Sequence, residues 1–413
     1  MAMVGKAQSP MEHREANPSL LEALSPIADQ FEIPGPVCWI EPLGEGNVND
    51  TYLVRCQVPG QETMQQFVLQ RINTSVFPQP DLVMHNLLAL SEHIKGKQIP
   101  GSHDPRSEQL GGGAGGRADG EADRWLTPEP LASRRSTDRW IQQDGQFWRL
   151  ITYVEGAITL QTVKDADQAE QLGRALGRFH HLLSDLPAEG LADPLPGFHV
   201  TPGYLQAYHQ ILEQVKGSLQ LELDPTLSTC LRFIEEREHD LDVLETALQR
   251  GELVTRVIHG DPKVNNILLC ATTGMALAMV DLDTVKPGLL HYDIGDCCRS
   301  GCNPAGEETT NLDAVVFDLA LCEAILRGYL NATRGTLTSH DYDYLLAAIH
   351  LLPLELGLRF LTDHLAGNPY FKVSRAGHNL DRACVQFRLT ESIEAQAGQI
   401  QTIIDRLRQE MGL

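Results

Sequence analysis

The spacing of apolar positions changes twice along the chain. In "WIEPLGEGNVNDTYLVRC" the residues Tyr52, Val54 and Cys56 alternate, the period of a half-buried strand. "QQFVLQRI" reads as a second strand. From Asp81 the period becomes helical, with Leu82, Val83, Leu87, Leu90 and Ile94 at helical spacing. "RWIQQDGQFWRLITYVEG" then predicts a hairpin, because Asp144-Gly145 separates two apolar runs. After Gly156 the pattern is mostly helical. "QAEQLGRALGRFHHLLSDL" places Leu172, Ala175, Leu176, Phe179, Leu182 and Leu183 on one face. Helical spacing returns over 204–249 and from Leu312 onward, and "MALAMVDLDTV" reads as a buried strand ending in acids.

This pattern predicts a loose N-terminal tail over 1–26 containing a short helix, a small α+β lobe over 27–155, and a larger helical lobe over 156–413. Residues 101–135 are rich in Gly, Asp, Arg and Ser and short of apolar residues. They predict a flexible insertion within the first lobe.

One stretch fits neither period. "VIHGDPKVNNILL" is apolar at both ends, yet His259, Asp261, Lys263, Asn265 and Asn266 crowd its centre. A core strand would not carry them, since an unpaired buried polar group costs about 1–3 kcal/mol. A short catalytic loop pinned between buried anchors would. Asn266 lies five residues after Asp261, and Asp281 ends an apolar strand fifteen residues later. Phosphoryl transfer asks for such a set: one carboxylate to orient an attacking hydroxyl, and an amide oxygen and a second carboxylate to hold Mg²⁺ against nucleotide phosphates.

Composition narrows the field. A formal net charge of −22 argues against a nucleic-acid-coating surface, which needs Lys/Arg stripes. Nine cysteines without a C-x-x-C pair fit reduced thiols in a cytoplasmic protein better than a disulfide framework. A zinc reading of Cys297, Cys298 and Cys302 lacks the usual repeated spacing. The N-terminus shows no apolar signal region. No uninterrupted apolar run reaches the ~18 residues of a membrane span, since "LLAAIHLLPLELGL" is broken by His350, Pro353 and Glu355.

"HGDPKVNN" resembles the H-x-D-x-x-x-x-N catalytic loop of protein kinases and aminoglycoside-phosphotransferase-like small-molecule kinases. "VDLD" stands where those families place a metal-binding aspartate, and "YDIGD" resembles a further segment of the small-molecule kinases. "GEGNVNDTYLV", "FVLQRIN", "VDLDTVKPGLLHYDIGD", "LGLRFLTDHLAGNPYF" and "HNLDRACVQFRL" are together similar to N-acetylhexosamine 1-kinases, over residues 44–389. The resemblance implies an α+β, protein-kinase-like two-lobed fold, with a small β-rich N-lobe, a mainly helical C-lobe and ATP in the cleft between. It implies transfer of phosphate from ATP, with Mg²⁺, to the anomeric hydroxyl of N-acetylglucosamine or N-acetylgalactosamine.

Carried onto this chain, the resemblance makes Asp261 the general base and Lys263 a phosphate contact. Asn266 and Asp281 become metal ligands, and Arg359 and Tyr370 sugar contacts. Gly44, Gly46 and Asn49 would meet the nucleotide. Either Gln70 or Arg71 occupies the place of the phosphate-contacting lysine. Arg71 keeps the charge and is taken here, with Glu92 or His85 as its helical partner. Other acceptors, namely an aminoglycoside, choline, homoserine or another sugar, stay open, as does a non-catalytic binding module. Asp293 and Arg299 read as structural, and Asp283 is even between a site role and bracing. Oligomeric state is not legible.

Overall fold

The computed structural model describes residues 18–44, 48–98, 125–217 and 224–412. Gly46 and residues 101–124 of the expected insertion lie outside them. By contact the chain forms two compact units: the described parts of Met1–Val76 with Glu129–Tyr153, and of Phe77–Pro128 with Val154–Leu413.

The smaller unit opens with helix α1 (Pro18–Ala28), which buries Leu24, Ile27 and Ala28. The end of the expected loose tail is therefore packed helix, because Leu20, Leu21, Leu24 and Ile27 give it an apolar face. Strands β1 (Val37–Pro42), β2 (Asp50–Gln57), β3 (Met64–Ile72), β4 (Ile141–Gln143) and β5 (Gln146–Thr152) form one antiparallel sheet, ordered β1-β2-β3-β5-β4. The expected hairpin joins β4 to β5, with Asp144 and Gly145 at φ 53° and 73°, the backbone of a twist-matched two-residue turn.

Register decides which side chains share a face. Gln70 pairs with Arg149, and Arg71 with Trp148. Phe67, Leu69, Trp148 and Leu150 pack in one cluster with Leu24 and Ile27 of α1. Side chains alternate across a strand, so Arg71 shares that face while Gln70 and Arg149 take the other.

The larger unit contains α2 (Pro80–Gln98), β6 (Ala157–Thr159), α3 (Ala166–Leu183), α4 (Thr201–Val215), α5 (Pro225–Glu235) and α6 (Val243–Gln249). It continues through β7 (Arg256–Ile258), β8 (Ile267–Cys270), β9 (Ala276–Met279), β10 (Lys286–Gly288), α7 (Leu290–Gly301) and α8 (Leu319–Ala332). Helices α9 (Ser339–Asp343), α10 (Leu345–Leu365), α11 (His378–Ala395) and α12 (Ala397–Glu410) complete it. Its strands form the small sheets β6-β8-β9 and β10-β7. The small antiparallel-sheet unit and the larger helical one make up the protein-kinase-like fold that the motifs imply.

Two boundaries differ from the sequence expectation. Helix α2 groups with the larger unit, because Asn86 donates to Ala192 O and Val285 O, both at 2.8 Å, and Lys97 to Leu182 O at 2.7 Å. Residues 125–135 are not a flexible insertion. Trp125 is buried, Leu126 N–H donates to Leu277 O at 3.0 Å, and Leu131 N–H to Leu150 O at 2.8 Å. The apolar residues at the end of a glycine-rich stretch were enough to seat it.

Helix α10 is long and apolar enough to cross a membrane by length and composition, yet 67% of that window is buried inside the protein. It carries Glu355 and Arg359 and serves as a core helix. Helices α3 and α8 cross closely at glycines. A Cβ on Gly173 would meet Ile325 O at 1.8 Å, and one on Gly328 would meet Glu170 O at 2.1 Å. Both obstacles are backbone atoms and cannot rotate away. Gly328→Ala is expected to destabilise the fold by about 1–3 kcal/mol in urea unfolding; an unchanged midpoint would show that the two helices separate freely.

Candidate active site

The segment between β7 and β8 is the loop that the polar crowding singled out. Asp293, fully buried at the start of α7, accepts His259 N–H at 2.7 Å and Gly260 N–H at 2.8 Å. His180 Nε2 adds a third contact at 2.8 Å. Burial alone would push this carboxyl up. The His180 hydrogen bond and charge, with the His259 N–H, outweigh it and hold it below the ordinary aspartate range. Gly260 has φ +86°, and a Cβ there would meet Thr284 O at 2.7 Å. Position 260 therefore requires glycine.

His259 ties this loop to the end of β9. Its Nδ1 accepts Asp261 N–H at 3.2 Å, so Nε2 carries the proton and donates to Val280 O at 3.0 Å. Burial lowers its pKa and keeps the ring neutral, as this two-sided use requires. Val280 N–H in turn donates to Asn266 O at 2.9 Å. The residue next to Asp281 is thus locked to both ends of the loop. Asp281 adopts φ 62°, ψ 53°, a left-handed conformation that aspartate tolerates better than most residues. Its side chain is exposed.

Within the loop, Asp261 is half-buried and Asn266 buried. Lys263 Nζ donates to Asp261 Oδ2 at 2.6 Å. Asn266 Nδ2 donates to Asp261 O at 2.8 Å and Oδ2 at 3.1 Å. Two consequences follow. Among the described residues Asp261 Oδ1 takes no hydrogen bond, so one carboxylate oxygen is held and the other is available. The Asn266 amide is oriented nitrogen-inward, which turns its oxygen away from Asp261. Desolvation works against the Lys263 charge, but Asp261, then Asp281 and Asp296, outweigh it and keep the amine protonated. The same ammonium therefore feels both proposed carboxylates. The Asn266 amide oxygen and the Asp281 carboxylate are oxygen donors of the kind that a hard divalent cation such as Mg²⁺ prefers.

A second buried network reaches the loop from α10. His199 Nε2 contacts Gly260 O at 2.7 Å, and Nδ1 contacts Glu355 Oε1 at 2.9 Å. Both partners are acceptors, so both ring nitrogens carry protons and His199 is an imidazolium. Desolvation opposes that charge; Glu355 outweighs it and raises the pKa. His199 sits at φ 67°, a strained backbone kept by these contacts. Glu355 also accepts from Thr201 Oγ1 at 2.8 Å and lies 3.8 Å from Arg359 Nη1. Arg359 therefore pairs one turn back. The forward residue, Asp363, instead accepts Tyr370 N–H at 2.8 Å and Phe371 N–H at 3.0 Å.

The Arg359 guanidinium lies in an aromatic box, 4.9 Å from the Tyr204 ring, 5.1 Å from Phe198, 5.5 Å from Phe371 and 6.0 Å from Tyr370. Desolvation opposes its charge, while Tyr204, Glu355, Tyr370 and Asp261 sustain it. Arg359, Tyr370 and Asp261 thus belong to one electrostatic neighbourhood. Tyr370 is exposed at 45%, leaving its ring able to meet a ligand.

The nucleotide-side candidates Gly44, Asn49 and Arg71 belong to the smaller unit. Gly44 is exposed, with φ +72°, and among the described residues no atom lies within 4 Å of where a Cβ would stand. Asn49 Oδ1 accepts Asn73 N–H at 2.9 Å, which ties the residue before β2 to the residue after β3. Arg71 Nε donates to Asp50 Oδ2 at 2.8 Å across the strand pair, and Glu92 is exposed in the other unit. On the opposite face, buried Arg149 donates to Gln70 Oε1 from Nε at 2.9 Å and Nη2 at 2.7 Å. Arg149, the one charged residue within β5, was not singled out by the sequence reading. His199, Glu355 and the contacts of Asp293 were not legible. Arg299 pairs with Asp296 at 2.7 Å and Glu307 at 3.0 Å, as its structural reading implied.

These networks generate two tests. Asp293→Asn leaves one acceptor oxygen for three donors and should cost roughly 3–5 kcal/mol in denaturant unfolding; a loss below about 1 kcal/mol would show that the carboxylate does not hold the loop. Lowered in the fold, the Asp293 pKa makes a contribution present above the unfolded value of about 3.9 and lost as pH falls through the folded one. Raised, the His199 pKa makes one that is full below about 6.5 and lost as pH rises through the folded value. Glu355→Gln removes the partner that sustains the imidazolium. ¹⁵N NMR should then find His199 neutral at pH 7, whereas an unchanged doubly protonated ring would contradict the assignment.

Comparison with known proteins agrees with this geometry. The sequence profile described as "Phosphotransferase enzyme family" matches residues 39–329. Among solved structures, a microcompartment-associated aminopropanol kinase superposes with a TM-score of 0.54 at 17% identity, covering 92% of this chain and 98% of its own. A choline kinase from Cryptosporidium parvum Iowa II gives 0.51 at 13% identity, covering 91% and 93%. A spectinomycin phosphotransferase in complex with ADP and spectinomycin gives 0.50 at 10% identity, covering 97% and 100%. At such identities these neighbours are similar in fold alone. The profile spans well over half of the chain and includes the Asp261 loop, Asp281 and α7: the protein belongs to the phosphotransferase enzyme family.

Proposed function

We propose that this phosphotransferase is an ATP-dependent kinase of a neutral sugar, acting on the anomeric hydroxyl of N-acetylglucosamine or N-acetylgalactosamine to give the sugar 1-phosphate. The observation that carries the acceptor class is the boxed Arg359. An aromatic box is a common receptor for an ammonium ligand. Here a resident guanidinium already fills it, close enough to Asp261 for their charges to interact. A cationic acceptor brought to the same base would meet that positive charge. A neutral sugar would instead find guanidinium donors suited to ring hydroxyls and an acetamide carbonyl, with Tyr370 offering an apolar face.

In this reading Asp261 Oδ1 accepts the proton of the attacking hydroxyl while Lys263 and Asn266 fix Oδ2. The hydroxyl oxygen bonds to the γ-phosphorus, the bond to the ADP oxygen breaks, and the proton passes to Asp261. Lys263 holds positive charge beside the base and would offset negative charge on the transferred phosphoryl group. Asn266 and Asp281 would hold Mg²⁺, which when bound neutralises phosphate charge. Arg359 orients the acceptor, and the Glu355–His199 link connects that residue to the loop backbone. The reduced thiols fit a cytoplasmic setting.

An ADP-release assay over a panel of N-acetylhexosamines, other sugars, choline, ethanolamine and aminoglycosides tests the acceptor. Turnover is expected with the N-acetylhexosamines; turnover with choline or an aminoglycoside alone would overturn the neutral-sugar reading. Asp261→Asn should lower kcat by roughly 10²–10⁴-fold and leave ATP binding nearly unchanged. Normal turnover in that variant would remove Asp261 as the base.

A further inference from the structure

Outside the site, three thiols converge. Cys298 and Cys302 stand one turn apart at the end of α7, and Cys322 lies in the first turn of α8. Their sulfurs all lie within 4.8 Å of one another, and all three residues are 0% exposed. In a trithiolate centre with bonds near the ~2.3 Å of Zn–S, sulfurs sit roughly 3.5–4 Å apart. The cluster therefore needs little contraction to close on one atom.

Charge selects among possible occupants. Three thiolates around Cu⁺ leave a dianion, and around Zn²⁺ a monoanion. A trivalent centre leaves none. The neighbouring acids are Asp296, paired with Arg299 at 2.7 Å, Glu323, paired with Arg327 at 3.1 Å, and Asp318, which caps α8; their cations are thus already engaged, and a net anion buried among the thiols would be strongly penalised. We infer that Cys298, Cys302 and Cys322 form a binding site for a trivalent thiophilic element, of which arsenic entering as neutral arsenous acid is the type. Three As–S bonds form and three As–O bonds break. Each hydroxide leaves with one thiol proton as water, and no oxidation state changes. The bound atom joins the end of α7 to the start of α8. It acts on the helix whose Asp293 holds the catalytic loop and whose Ser300 Oγ accepts Val264 N–H at 3.1 Å.

The test uses the full reduced chain under anaerobic conditions with arsenite. Competing sulfurs are removed by Cys38→Ser, Cys230→Ser and Cys270→Ser, since Cys38 lies 3.5 Å from the Met64 sulfur and Cys230 3.6 Å from that of Cys384. One arsenic per chain with three sulfur neighbours in X-ray absorption, and a raised thermal midpoint, is the expected result. Adding Cys322→Ser should abolish the three-sulfur signal while circular dichroism confirms a folded chain. Should Cys322→Ser unfold the protein, Cys298→Ala is read in its place. Arsenic held by two sulfurs, retention unchanged by loss of Cys322 or Cys298, or no retention even when arsenite is present during refolding would each overturn the site.

Discussion

The carboxylate of Asp293 is the constraint on which the site rests. It spends both oxygens on consecutive backbone N–H groups of one loop and takes a histidine besides. A buried carboxylate without such donors would be costly. With them it becomes a rigid anchor, and the loop acquires a fixed starting point at His259 and Gly260. Everything downstream inherits that position. Neutral His259 passes it to Val280, Val280 to Asn266, and Asn266 to Asp261. Asp261 and Asn266 are thus aligned by backbone and amide contacts.

The loop is also held from the opposite side. The His199 imidazolium grips Gly260 O while Asp293 grips Gly260 N–H. That peptide position is therefore clamped at both polar ends, by an anion on the donor and a cation on the acceptor. Glu355 balances His199 and lies near Arg359, so the charge of the proposed acceptor residue belongs to the same buried network as the loop. This coupling gives a physical reason for the mostly apolar core helix α10 to carry Glu355 and Arg359 one turn apart.

Much of this was legible in the sequence, for local reasons. Asp261, Lys263 and Asn266 occupy one short polar stretch, and a chain that pays for burial at both flanks announces it. Asp281 was legible as an acid ending an apolar strand. His199 and Glu355 were not, because their contact spans 156 residues and leaves no periodic trace. The Gln70 and Arg71 ambiguity arose because a one-residue shift in strand register exchanges faces; only pairing with β5 resolves which side each takes. Residues 125–135 followed a glycine-rich run and were read by its composition, although Trp125, Leu126 and Leu131 contained the apolar contacts that seat them. Helix α2 was assigned by its order in the chain, whereas Asn86 and Lys97 attach it to the larger unit.

The central claim is that the Asp293-anchored loop presents a base with one available oxygen beside two oxygen ligands for a cation. A crystal structure with Mg²⁺ and a non-hydrolysable ATP analogue addresses it most directly. The account predicts Mg²⁺ bound by Asn266 Oδ1 and the Asp281 carboxylate, with Asp261 Oδ2 still on Lys263 and Asp261 Oδ1 free of metal. Magnesium bound through Asp261, or a terminal phosphate seated away from these residues, would contradict it.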